Sequence, residues 1–279
     1  MKPDRYAVLG NPVAHSRSPF IHALFAQQTG QVMDYGRLLC PMDGFEAAVR
    51  AFAAEGGRGC NVTVPFKLQV PPLATQCTER ATLAGAANVL RFDADGWLAD
   101  NTDGVGLVRD IEHGAGLALA GLRVLLVGAG GAAAGVLGPL LAARPASVSV
   151  ANRTADKALA LVDRHAAWAA QHGVALSAAM LHAPGADFDV VINASASSLH
   201  GAASPVPTRT IRAGTLVVDL MYGPAAEPFL SWARAAGAHT RDGLGMLVEQ
   251  AAEAFALWRG VRPETAPVLQ ALRQALASS

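Results

Sequence analysis

Residues 122–133 read Leu-Arg-Val-Leu-Leu-Val-Gly-Ala-Gly-Gly-Ala-Ala. Residues 122–127 form a continuous apolar strand of the kind buried on both faces of a parallel sheet, and the alanine-rich run after them reads as a helix. Between them lies a glycine fingerprint in its required setting. Gly128 permits the tight turn, Gly130 lets a pyrophosphate approach the backbone, and Ala133 occupies the third position as an accepted variant. A glycine string alone would say little, but strand before and helix after predict a dinucleotide fold.

Downstream, residues 147–151 predict the next strand, which ends in Asn152-Arg-Thr-Ala-Asp-Lys157. About 20 residues past the fingerprint an acid would hold the ribose hydroxyls of NAD. No acid stands there. Arg153 and Lys157, with Thr154 as the expected helix cap, form a small cationic fork suited to a 2′-phosphate, so NADP(H) is the expected cofactor. Further buried strands are predicted at 187–192, leading into the polar loop Asn193-Ala-Ser195, and at 215–219, followed by Leu220-Met-Tyr222-Gly-Pro. A helix at 227–236 and a short strand at 237–240 follow. Asp242-Gly-Leu-Gly-Met246 then opens a long helix carrying Gln250, and Pro263 separates it from a last helix. These two helices have no strands to pair with, so they are expected to return to the amino-terminal domain, bringing Gln250 to the cleft between domains.

Upstream, the glycine- and alanine-rich stretch 113–121 marks the first domain boundary. Strands at 6–10 and 34–39 and helices opening at Ser18-Pro19 and spanning 44–54 give α/β alternation and a mostly parallel sheet. Ser18 reads as N-cap before Pro19 at N1, leaving the Ser16 hydroxyl free to help hold a carboxylate at the helix N-terminus. Residues 60–67, Cys-Asn-Val-Thr-Val-Pro-Phe-Lys, alternate as a strand stopped by Pro65, which delivers Lys67 at a strand exit. An amide, a hydroxyl and an amine presented together there suit a small polyhydroxylated substrate, although Lys67 taken alone reads first as a solvated lysine. A helix near 77–83 precedes Asn88, at the mouth of a hairpin turning at Asp95-Gly96. Asp103 reads as the cap of a helix over 105–113, with one oxygen left for a lysine.

Composition narrows the class. Twenty-two basic side chains balance 22 acidic ones among 279 residues, which gives no global field for nucleic acid or an anionic membrane surface. Three cysteines and eight scattered histidines show no metal-like spacing, so no metal is expected. Although 52% of the chain is hydrophobic, no run approaches the roughly 18 uncharged apolar residues of a membrane span, and the amino terminus lacks a signal-peptide pattern. The cytoplasm is the expected compartment, and the oligomeric state is left between monomer and homodimer.

Seven ordered stretches, Ser16-Arg-Ser18, Asn61 to Lys67, Gly85 to Asn88, Asp100 to Gly104, Gly128 to Ala132, Asn152-Arg-Thr and Asp242 to Gln250, resemble the motifs of the shikimate dehydrogenase family. The resemblance implies NADPH-dependent, reversible reduction of 3-dehydroshikimate to shikimate in aromatic amino-acid (chorismate) biosynthesis. It implies a two-domain α/β fold: an αβα substrate domain, residues 1–113 completed by 244–279, and a Rossmann-type NADP-binding domain, residues 114–243. Lys67 and Asp103 would be the catalytic pair. Ser16, Ser18, Asn61, Thr63, Asn88, Tyr222 and Gln250 would join them around the substrate. Gly128, Ala129, Gly130, Gly131, Ala132, Asn152, Arg153, Thr154, Lys157, Asn193, Leu220, Gly243 and Met246 would meet the cofactor. The chain departs from the family at Ala133 (usually serine), Val89 (threonine), Ala99 (glycine) and Lys157 (often arginine), and only the last bears on the cofactor, with its charge kept. Competing readings are a quinate/shikimate dehydrogenase of relaxed specificity using NAD, disfavoured by the missing acid, and a non-catalytic NADP(H)-binding module, which would have no need of both Lys67 and Asp103. A folate-linked dehydrogenase of similar layout would give no reason for Ser16, Ser18 and Gln250.

Overall fold

A computed structural model describes residues 2–195 and 204–278. The chain divides into two compact units, Met1–Gly106 with Leu247–Ser279, and Leu107–Met246. The first crossing falls within the helix α4 (Asp103–Arg109) and not at residue 113, because Leu107 and Ile111 are already buried in the core of the second unit. The glycine-rich composition beyond residue 113 marks a surface connection there, not the change of core.

The first unit is built on a six-stranded sheet, β1 (Asp4–Gly10), β2 (Met33–Leu39), β3 (Gly57–Val62), β4 (Gln76–Cys77), β5 (Val89–Asp93) and β6 (Gly96–Asp100), in the order β2-β1-β3-β5-β6-β4. β5 alone runs antiparallel to its neighbours, so the sheet is mostly parallel as the α/β alternation predicts. The alternation of side chains along β1 divides the packing. Ala7 and Leu9 join Phe45, Val49 and Phe52 of helix α2 (Phe45–Ala54). On the other face Tyr6 lies against Trp258 of α8 (Leu244–Arg259), and Gly59 admits that indole, since a Cβ there would lie 2.6 Å from its Nε1. Helices α1 (Ser18–Thr29), α3 (Glu79–Ala84) and α9 (Ala266–Ala277) complete the unit.

Three local expectations change. Ser18 is the first residue of α1 and not its cap; the cap position is Arg17, and Ser16 Oγ accepts the Ser18 amide at 3.3 Å. The hairpin loop is Ala94–Asp95, with Gly96 paired opposite Asp93 in β6, because a Cβ at residue 96 would lie 2.2 Å from Thr75 Oγ1. Asp103 begins α4 instead of preceding it, and its amide is served by Asn101 Oδ1 at 3.2 Å.

The second unit carries a wholly parallel sheet of β7 (Arg123–Val127), β8 (Ser147–Asn152), β9 (Ala175–Met180), β10 (Val190–Asn193), β11 (Leu216–Asp219) and β12 (His239–Arg241), ordered β12-β11-β10-β7-β8-β9. Strand order reverses between β7 and β10, the doubly wound Rossmann-type topology. Val124, Leu126, Val148 and Val150 pack on α5 (Gly131–Ala142) and α6 (Ala155–His172), while Leu125, Val127 and Val191 pack on α7 (Glu227–Ala235). Both faces of β7 are therefore covered, as its unbroken apolar pattern requires. Among the described residues no helix is long and apolar enough to cross a membrane.

Candidate active site

In the first unit a buried polar cluster gathers four segments far apart in sequence. Lys67 lies on the 3₁₀ turn Phe66–Gln69 just beyond β3. Its Nζ donates to Asp103 Oδ2 at 2.6 Å, and the Lys67 and Asp103 side chains are 19% and 7% exposed. The solvated-lysine reading of Lys67 does not hold. The second Asp103 oxygen accepts Asn88 Nδ2 at 2.9 Å. Asn88 is itself fixed: its Oδ1 accepts the Thr102 amide at 2.8 Å, and its Nδ2 also faces Thr102 Oγ1 at 3.0 Å and Gln250 Oε1 at 3.1 Å. Gln250 is anchored in α8 by donating from Nε2 to Leu247 O at 2.8 Å. A buried polar group without partners costs about 1–3 kcal/mol, so this mutual satisfaction defines each rotamer.

The neighbouring strands set the backbone of the cluster. Asn88 donates its amide to Asp100 O and accepts the Val62 amide, which stitches β5 between β3 and β6. Asn61, at the end of β3, donates from Nδ2 to Asn88 O at 3.2 Å and accepts Tyr35 Oη at 2.6 Å. Ser16 Oγ donates to Ser18 Oγ at 3.2 Å, and Arg37 holds Ser16 O with two nitrogens at 3.0 and 2.6 Å. Thr63 is half-buried directly after β3, and its methyl closes against Gly10, where a Cβ would lie 2.4 Å from it.

Several contributors carry no sequence signal of their own. Asp100, 1% exposed, takes a two-nitrogen fork from Arg80 at 2.7 and 2.5 Å, with Thr78 Oγ1 and the Asn101 amide on the same carboxylate. Burial pushes this carboxyl up, but the Arg80 hydrogen bonds and charge overcome that and hold it below the usual range. Arg80 also reaches Glu253 of α8 at 3.1 Å. Asp100, Asn101 and Thr102 lie in the stretch Asp100 to Gly104, whereas Arg80 and Tyr35 are ordinary polar residues in sequence and only the fold reveals their part.

In the second unit the fingerprint loop leaves β7 at the reversal of strand order. Gly128 has φ +111°, and a Cβ on it would approach Ala194 O at 3.0 Å. Positions 130 and 131 face open space, and no side chain caps the N-terminus of the twelve-residue α5. Free amides at a helix start beside bare glycine backbone fit a pyrophosphate. At the exit of β8, Asn152 Nδ2 donates to Thr154 O at 2.9 Å and sets the turn. Arg153, Thr154 and Lys157 are exposed there, and Thr154 occupies the cap position of α6 without a side-chain cap bond, so its hydroxyl is not committed to the helix as expected. Buried Asn193 donates to Asp219 Oδ2 at 3.1 Å and accepts Ser195, which ties β10 to β11 at their carboxyl ends. Gly243 lies against Leu220, where a Cβ would come within 2.2 Å of its carbonyl oxygen, and Met246 is buried in the core of this unit. Tyr222 is half-buried after β11. These residues fit NADP(H): glycine backbone for the pyrophosphate, cations and no acid at the 2′ position. Among the described residues no cluster of His, Cys, Asp or Glu could hold a metal ion.

Comparison with known proteins agrees with this arrangement. Residues 8–90 match the shikimate dehydrogenase substrate binding domain, residues 111–221 the shikimate / quinate 5-dehydrogenase model, and residues 243–273 the shikimate 5'-dehydrogenase C-terminal domain. The chain is 65% identical to the shikimate dehydrogenase (NADP(+)) of Acidovorax sp. (strain JS42), over 99% of its own length and 98% of the relative's. An Ael1 enzyme from Pseudomonas putida superposes with a TM-score of 0.89 at 48% identity, covering 96% of this chain and 98% of the other. The shikimate 5-dehydrogenase of Thermus thermophilus, solved with NADP(H) and shikimate, gives 0.86 at 32% identity over 98% and 99%. With near-complete coverage at such identity, and with both sheets and both loops in place, the chain belongs to the shikimate dehydrogenase family.

Proposed function

We propose that the chain catalyses the reversible, NADP-linked reduction of 3-dehydroshikimate to shikimate, with Lys67 and Asp103 as its catalytic pair. The observation that carries the assignment is the 2.6 Å contact between Lys67 Nζ and Asp103 Oδ2 in a cluster otherwise satisfied within itself. NADPH, when bound, supplies the hydride to the ketone carbon. As charge develops on the carbonyl oxygen, the Lys67 ammonium stabilises it and delivers the proton. Asp103 holds and aims the ammonium. Asn88 and Gln250 present amides to the ring hydroxyls, Asn61 contributes a further amide, and Ser16, Ser18 and Thr63 hold the carboxylate. Gly128 to Ala132 form the pyrophosphate cradle, and Arg153, Thr154 and Lys157 receive the 2′-phosphate. In this reading Met1–Gly106 with Leu247–Ser279 form the substrate domain, Leu107–Met246 the cofactor domain, and the enzyme works in the cytoplasm as a monomer or homodimer.

An absorbance assay at 340 nm that crosses shikimate and quinate with NADP+ and NAD+ tests the assignment. Turnover highest with shikimate and NADP+ is the expected result. Comparable turnover of quinate with NAD+ would move the reading to the relaxed enzyme, and no change in any combination would leave an NADP(H)-binding module.

A further inference from the structure

We infer that Tyr35 is a positioning residue for the substrate site, its phenol bracing the Asn61 carboxamide in the orientation that the Asn88 carbonyl selects. The inference deepens the proposed function and rests on it. Tyr35 stands in register with Tyr6 of β1, and Tyr6 with Gly59 of β3. Asn61, two residues further along β3, is therefore on the same face, and the phenol reaches it across β1. A carboxamide has two ends of nearly equal size and opposite polarity, so something must choose between them. Asn88 O can only accept, which assigns Asn61 Nδ2 to that side. The Tyr35 hydroxyl then donates to Oδ1, and a flipped amide would set two oxygens against each other at Asn88. One N–H of Asn61 remains for a ligand, while its oxygen is shared between Tyr35 and the neighbouring His22.

The phenol is held from several sides. His22 of α1 stacks on its ring at 4.1 Å with the planes 7° apart, and Trp258 tilts against it at 6.3 Å. Ser18 also interacts with the phenol, so the hydroxyl serves two residues of the proposed substrate site. Burial raises its pKa well above the ordinary tyrosine value, which keeps it a donor throughout the working pH range. Tyr35 presents no motif of its own.

The test is a double-mutant cycle on the full chain, with Tyr35→Phe, Asn61→Ala and the double variant assayed for shikimate oxidation. Tyr35→Phe keeps the ring and its stack on His22 while removing the hydroxyl's bond to Asn61 and its lesser interaction with Ser18, so KM for shikimate should rise about tenfold, with kcat and KM for NADP+ within about twofold. In the Asn61→Ala background the same change should add less than about twofold, since Tyr35 acts through Asn61. An unchanged KM in Tyr35→Phe, an equal fall in kcat, or effects that multiply in the double variant would overturn the inference while leaving the proposed function intact. A wild-type chain with no shikimate turnover would overturn both.

Discussion

His22 makes the stability of the first unit depend on pH in a way that one substitution should remove. The ring is fully buried on α1, neither nitrogen meets a partner at ordinary hydrogen-bond geometry although the Asn61 carboxamide lies beside it, and it packs between Tyr35 and Phe25. Burial is the dominant influence, opposed only weakly by Asn61, and it drives the imidazole from 6.5 down to about 3. In the unfolded chain His22 takes up a proton near its ordinary value, whereas the folded chain refuses it until about pH 3. Stability from this group is thus complete above pH 6.5 and is lost progressively as pH falls toward 3. Integrating the linkage between those limits gives a loss of about 2 kcal/mol at pH 5 relative to pH 8. His22→Phe keeps an aromatic plate against Tyr35 and has nothing to protonate. Urea unfolding of both chains at pH 8, 6 and 5 provides the measurement, followed in the transition that carries the first unit. The wild type should lose about 2 kcal/mol more than the variant over that span, and shared groups such as His165 cancel in the difference. Parallel pH profiles would show that the imidazole is protonated or solvated in the fold, and the burial argument would fail.

Three other substitutions probe separate parts of the molecule. Lys67→Ala should lower kcat by about 10²-fold or more with NADPH binding unchanged, and near-full turnover would remove the amine from the chemistry. Arg153→Ala with Lys157→Ala should raise KM for NADP+ at least about tenfold and leave KM for NAD+ nearly unaltered; equal effects on both cofactors would place the 2′-phosphate elsewhere. Arg80→Ala leaves the 1%-exposed Asp100 carboxylate without a countercharge and should cost about 3 kcal/mol by denaturant unfolding, whereas a loss below about 1 kcal/mol would mean that Thr78 and the Asn101 amide suffice.

Most of the architecture is legible because it follows from patterns that are local. Residues 122–127 cannot be an amphipathic surface strand, and the glycines after them admit few other turns. The strand β9 has no signature for the opposite reason. Ala-Leu-Ser-Ala-Ala-Met is alanine-rich, lacks β-branched residues and lies at the sheet edge with Leu176, Ala179 and Met180 only partly covered and the rest exposed, so neither composition nor period distinguishes it. β4 is two residues long and exists only through its pairing with β6. The caps expected at Ser18 and Asp103 fall elsewhere because a cap is chosen by which residue first adopts helical geometry, and sequence places that boundary only to within a residue or two.

The site itself is legible residue by residue but not as a circuit. Asn88 and Gln250 are 162 positions apart, and each taken singly is an ordinary polar residue. What the fold adds is the direction in which the hydrogen bonds run. Asn88 is held by the Thr102 amide and gives to Asp103 Oδ1, which leaves Oδ2 to Lys67. The carboxylate thus spends one oxygen on its own placement and the other on the amine. An ammonium has three N–H groups, and only one is committed to Asp103, so the remaining donors are what this cluster can offer to a reacting oxygen. Asp103→Asn would test that order of dependence directly. Asn88 would still hold the oxygen of the new carboxamide, which turns its NH2 toward the Lys67 ammonium, so the amine loses its acceptor and the defect should appear in kcat. Near-full kcat would mean that the amine is placed without Asp103.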